Sequence, residues 1–158
     1  PAPRAAVAFG RQRGRGIEGP SIRPARRGAS ASAGMIVHLD TSALVDALTG
    51  PRRSLDALIG MTDQGHRTVL STIVLYEWLR GPRTRADLAA QEALFPSEQA
   101  VVFGPAEAAM AARLYRTVPR PRGREIDLAV AASAIANGAS LWTLNPDDFR
   151  DIPGLGLV

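Results

Sequence analysis

Met35-Ile36-Val37-His38-Leu39-Asp40-Thr41-Ser42-Ala43-Leu44-Val45-Asp46-Ala47-Leu48 carries the chain from one periodicity into another. Met35–Asp40 is a short apolar run closed by an acid, the pattern of a buried strand. Thr41–Leu48 reads as a helix, with Asp40 at its start and the Gly50-Pro51 break at its end. Working outward, the alternation repeats. A helix is predicted over Ser54–Asp63, a turn at Gln64-Gly65 and a strand over Thr68–Ser71. Helices follow over Ile73–Leu79, stopped by Gly81-Pro82, and over Arg83–Leu94. Then come a strand Ala100–Phe103, a helix Pro105–Val118, an Arg/Pro loop at 119–123 and a long helix Arg124–Ala136 ended by Asn137-Gly138. Ser140–Leu144 is the last clear strand, and Ile152–Val158 offers a further edge strand. Strands alternating with helices predict an α/β fold, a parallel sheet flanked by helices.

Upstream of Met35 the character changes. Residues 1–34 are Pro, Gly, Ala, Ser and Arg without apolar periodicity, so they cannot bury enough surface to offset chain entropy. We expect a disordered extension there, and we favour an artefactual origin over an RNA-binding arm, because Met35 stands directly before the first strand. No secretory apolar core is seen in it. The charge distribution follows the same division. All 19 basic residues are arginine; residues 1–34 carry seven against one acid, whereas residues 35–158 carry 12 against 14 acids. The overall +4 therefore belongs to the extension, and the globular part, at −2, gives no argument for nucleic-acid binding from charge alone.

Composition also removes chemistries. The chain has no cysteine, which excludes thiol nucleophiles, disulfides and Cys-based metal sites, and is consistent with the cytoplasm, where we expect the protein. No lysine means no Schiff base and no P-loop lysine. Two histidines, His38 and His66, are too few for a His₃ zinc site. Acid–base or metal chemistry must rest on carboxylates.

In parallel α/β sheets, sites form at the carboxyl ends of strands. Asp40 closes the first strand, though an aspartate there also caps a helix. Glu77 lies in a helix apolar on nearly every face, which we expect to be largely buried; its carboxylate then faces a polar cleft, solvent, or a partner such as Arg80. Asp127 opens the Ala-rich helix, where the dipole alone favours an acid. Behind it Ala129, Ala131, Ala132, Ser133 and Ala134 predict close packing on the sheet. Asn145-Pro146-Asp147-Asp148-Phe149 follows the last strand as a turn, with Phe149 expected to anchor it. Only folding can unite acids spaced 37, 50 and 21 residues apart. Clustered carboxylates repel one another, and a hard divalent cation relieves this with oxygen ligands.

Four segments carry a family resemblance: Ile36–Leu44; Leu70-Ser71-Thr72 leading to Tyr76-Glu77-Trp78-Leu79-Arg80-Gly81; Ile126–Ala132; and Leu141–Phe149 continuing into Ile152–Leu155. In this order the chain resembles the PIN-domain ribonucleases, and within them the VapC-type toxins of bacterial toxin–antitoxin pairs, over Met35–Val158. The resemblance implies a three-layer α/β/α sandwich whose acids hold Mg²⁺ or Mn²⁺ and cleave single-stranded RNA. By position, Asp40, Glu77 and Asp127 match the most regular acids. Family members either place a fourth acid where this chain has Asn145 or use the one before the Phe; we take Asp148, leaving open a share for Asn145 or Asp147. Thr41, Ser71, Thr143, Asn145, Arg122 and Arg124 are the supporting or substrate-contacting candidates, and Arg116 and Arg120 stand in the same basic stretch. Implied partners are RNA, a cognate antitoxin and a second copy of the chain, with no membrane. A catalytically weak RNA- or protein-binding module stays open as the alternative. A haloacid-dehalogenase-like phosphatase is disfavoured, because Ser42 stands where that chemistry needs a second Asp and the lysine is missing.

Overall fold

Several helix starts are written in the residues that precede or open them. In the computed structural model, which describes residues 34–51 and 53–158, Asp40 caps α1 (Thr41–Thr49) and Ser71 caps α3 (Thr72–Arg80), each side chain accepting from a backbone N–H of the first turn. Thr84 and Asp87 form a reciprocal capping box on α4 (Arg85–Leu94), which is why that helix starts two residues later than its apolar pattern suggests. Pro105 opens α5 (Pro105–Thr117). β1 (Ile36–Leu39) precedes α1, and α2 (Leu55–Asp63) and β2 (Arg67–Val69) lie between α1 and α3; α6 (Glu125–Ala136) and β3 (Ser140–Trp142) come last of the named helices and strands. The expected disordered extension falls on residues 1–33, outside the described part apart from Gly34.

The strands form one parallel sheet in the order β2-β1-β3, with Val37 opposite Thr68 on one side and Ser140 on the other. Its flanks continue only as isolated bridges, Ser71 with Val101 and Leu141 with Leu157. The strand expected over Ala100–Phe103 thus shrinks to one residue. The Phe103 N–H turns away to the Thr72 hydroxyl (3.0 Å), and the chain enters α5 two residues later. The tail likewise pairs only around Leu157, through Leu141 N–H to the Gly156 carbonyl (2.7 Å) and Val158 N–H to the Leu141 carbonyl (2.9 Å).

Successive residues of a strand face opposite sides of a sheet. Val37, His38 and Leu39 are all fully buried, so both faces of β1 are covered by helices, giving the three-layer α/β/α sandwich. α1 contacts α2, α3 and α4, whereas α5 pairs with α6, which lies on β3. Leu128 to Ala134 of α6 are buried without interruption, and the small side chains let this helix sit tightly in the core. Ser133, buried among them, returns its hydroxyl to the Ala129 carbonyl (3.0 Å). Gly138, at φ +63°, supplies the left-handed turn that ends the helix.

One expectation is overturned. α3 is not largely buried: Val74 and Trp78, one turn apart, are fully buried and Ile73 and Leu75 pack partly buried beside them, while Tyr76 and Leu79 are 54% and 55% exposed. An apolar sequence does not oblige a short helix to bury more than the stripe it lays on its neighbours.

Candidate active site

β1 delivers Asp40 to the carboxyl edge of the sheet, where its backbone N–H bonds the Trp142 carbonyl of β3 (2.9 Å). The side chain is 6% exposed. One oxygen, Oδ2, accepts from the Ser42 hydroxyl (2.5 Å), the Thr143 hydroxyl (2.8 Å) and, more loosely, the Ser42 N–H (3.3 Å). Those two hydroxyls also accept, Ser42 from the Leu144 N–H and Thr143 from the Asn145 N–H, each at 3.0 Å. The residues after β3 are thereby locked to the residues after β1. Asp40 is both a helix cap and a buried carboxylate held by oriented donors.

Thr41, next to it, donates its hydroxyl to Glu77 Oε2 (2.7 Å), joining α1 to α3. The other Glu77 oxygen takes a salt bridge from Arg80 (3.1 Å), whose guanidinium also lies over the exposed Tyr76 ring at 5.5 Å. Glu77 thus combines two of the readings its sequence left open: it reaches the rim and it has an arginine partner.

Asp127 stands in the first turn of α6. Its carboxyl is pushed up to about 6, by burial first and then by the negative charges of Asp148, Asp40 and Glu77, with Arg124 offsetting part. The charges of Asp148, Asp40 and Glu77, which come from three other segments, all bear on Asp127 at the start of α6. Asp148 is the member of its turn that acts on Asp127; Asp147 is exposed and engaged in an ion pair with Arg150. Phe149 is buried and anchors the turn as expected. The Asn145 side chain, exposed, makes no hydrogen bond among the described residues.

Among the other candidates, Thr41 and Thr143 touch the acids directly, whereas Ser71 is occupied in capping α3. Arg122 is exposed on the loop before α6. Arg124 is turned to Asp151 and the Asp148 carbonyl. Two participants were missed in the sequence. Ser42 was visible in principle, since an Asp followed two residues later by Ser is a local capping pattern. Asp151 was not, because its partner lies 27 residues away.

Oxygen-only donors and mutual repulsion at Asp127 fit a hard divalent cation such as Mg²⁺ or Mn²⁺. As the side chains stand, no three acids among the described residues converge tightly enough to hold a metal ion. Glu77 has one oxygen on Thr41 and the other on Arg80, each with acceptor capacity left over.

Residues 37–155 match the PIN domain family. No curated protein sequence matches significantly. Among solved structures, the chain is similar to VapBC2 from Rickettsia felis bound to a promoter DNA fragment, at 22% identity and TM-score 0.62, covering 78% of this chain and 98% of that one. It is also similar to VapBC-1 from nontypeable Haemophilus influenzae (26%, TM-score 0.58, 78% and 97% covered). A third is VapBC-5 from Mycobacterium tuberculosis, a member of the VapBC family of toxin–antitoxin systems (25%, TM-score 0.51, 77% and 93% covered).

Proposed function

Because the chain belongs to the PIN domain family, a family of nucleases, we propose that it is a metal-dependent endoribonuclease acting on single-stranded RNA, the toxin of a toxin–antitoxin pair. The observation that carries the reading is the electrostatic coupling of Asp127 to Asp40, Glu77 and Asp148. The toxin assignment and its partners, a cognate antitoxin and a second copy of the chain, rest on likeness to proteins described as VapBC complexes.

In this proposal Asp40, Glu77, Asp127 and Asp148 hold the cation, which when bound neutralises charge on the attacked phosphate and lowers the pKa of bound water. Ser42 and Thr143 fix Asp40 through Oδ2, and Thr41 steers Glu77. Asp148 or Glu77 orients the attacking water and accepts its proton. In-line displacement leaves 5′-phosphate and 3′-hydroxyl ends. Arg116, Arg120 and Arg122, exposed on the end of α5 and the following loop, meet RNA phosphates. Because neither lysine nor cysteine is used, the chemistry agrees with the composition. Among the described residues no helix is long and apolar enough to cross a membrane.

The test is cleavage of a labelled single-stranded RNA by the full chain with Mn²⁺, with Mg²⁺ and with EDTA, beside Asp40→Ala and Asp127→Ala. We expect EDTA to abolish cleavage and each variant to lose on the order of 10³-fold or more. Parental rates in both variants would remove these residues from the site. Retention of RNA without cleavage makes the protein a binding module instead.

A further inference from the structure

Arg124 occupies the hinge between the Arg/Pro loop and α6. Its N–H donates to the Pro121 carbonyl (3.1 Å) and its carbonyl accepts from the Leu128 N–H (2.9 Å), so its backbone belongs to both. Its side chain leaves that helix altogether. Nη1 donates to Asp151 Oδ2 (2.9 Å), and Nη2 donates to Asp151 Oδ1 (2.6 Å) and to the Asp148 carbonyl (2.5 Å). This two-pronged grip on a carboxylate, with the arginine side chain only 18% exposed, is the geometry in which arginine is most specific. The remaining Nε–H is buried and without a partner among the described residues, and both terminal nitrogens are already engaged by Asp151 and the Asp148 carbonyl.

Asp148 sits in a short 3₁₀ turn (Pro146–Asp148) whose own bonds are few: its N–H to the Asn145 carbonyl, and the Phe149 and Arg150 N–H groups to the Pro146 carbonyl. Phe149 anchors the turn in the core, but no hydrogen bond within the turn ties Asp148 to the start of α6. Arg124 does, from three residues before Asp127. On this geometry, and resting on the nuclease reading above, we propose that Arg124 is a positioning residue, a clasp that with Asp151 sets Asp148 against Asp127, and is not a substrate contact.

The full chain carrying Arg124→Ala, Arg124→Lys, Asp151→Asn, or the Arg124→Ala/Asp151→Asn pair is compared for kcat, for KM on RNA, and for hydrogen exchange of the Phe149–Ile152 amides. We expect each single change to lower kcat per folded molecule 10–100-fold, as loss of a partner behind a ligand does, with KM within about threefold of the parent. The pair is expected to be no worse than the poorer single. Arg124→Lys rescues little, since a point charge cannot make the fork. Exchange at Phe149–Ile152 accelerates equally in all four. A parental kcat in Asp151→Asn together with a raised, salt-sensitive KM in Arg124→Ala overturns the clasp and makes Arg124 a phosphate contact. So does additive loss in the pair. If the parent itself cleaves no RNA, the nuclease reading fails on its own. The clasp is then judged by exchange, upheld by equal acceleration in the two single variants and overturned by a slow-exchanging Asp151→Asn.

Discussion

Replacing Asp127 by asparagine is expected to make the metal-free protein more stable at pH 8 and to leave it unchanged at pH 4. The reasoning starts from the carboxyl's rise from an ordinary 3.8 to about 6, caused by burial and by the charges of Asp148, Asp40 and Glu77. A group raised in the fold binds its proton more tightly when folded. Its stabilising contribution is therefore complete below about pH 4 and is lost as pH climbs through about 6. At about 1.4 kcal/mol per tenfold change the full effect is about 3 kcal/mol. Asp127 is only half-buried, so solvent screening reduces this to about 1–2 kcal/mol. A negative charge in the first turn of α6 is worth roughly 0.5 kcal/mol in the other direction, leaving a gain of about 1 kcal/mol at pH 8. Urea denaturation in EDTA across pH 4–8 measures it. His38 titrates in the same range with the opposite sense, since burial lowers it to about 4 and its contribution disappears as pH falls. Both chains contain it, so the difference between them cancels it. Adding Mn²⁺ then stabilises the parent and not the variant. A variant equal to or weaker than the parent at pH 8, with a gap independent of pH, would refute the claim that the acids strain one another.

Three further outcomes follow from the contacts described. Ser42→Ala and Thr143→Val each remove one hydroxyl donor from Asp40 Oδ2; RNA cleavage should fall 10–100-fold, and a parental rate would show that Asp40 needs no such support. His38→Leu removes a fully buried ring with no well-formed hydrogen bond at either nitrogen. The neighbouring Leu39 backbone and Asp40 offset only part of its burial effect. Stability should rise by about 1–2 kcal/mol at pH 7 and more at pH 4.5, and parallel urea midpoints at the two pH values would contradict this. Trp78→Ala empties the centre of α3's buried stripe and strands the Arg83 guanidinium now lying 4.2 Å over the ring. A loss of about 3–5 kcal/mol is expected in chemical denaturation, and a loss under about 1 kcal/mol would mean that the pocket collapses around the gap.

Several physical rules that act within one turn of chain were read from the sequence, although the Ser42 contact to Asp40 and the Ser71 and Thr84 caps, equally local, were not. Asp40 and Pro105 announce helix starts, Gly138 announces a stop, and the alanine run of α6 announces tight packing, all as observed. Rules that depend on the neighbour across space were not readable. Val101 lost most of its strand to a hydroxyl 31 residues distant from Phe103, and the outer face of α3 could be known only once its partners were placed. Asp40, Glu77, Asp127 and Asp148 could be nominated from a strand end, two helices and a turn, but that Asp147 pairs with Arg150 while Asp148 bears on Asp127 depends on side-chain placement. Asp151 carried no local signature at all.

The tapering of the sheet has a consequence for how copies of this molecule meet. A strand seeking to add itself beyond Val101 or Leu157 finds a single matched position on either side and no continuous row of amides to zip along. Among the described residues the borders thus favour self-association through side chains standing on helices, where point changes can tune it without disturbing the β-ladder beneath.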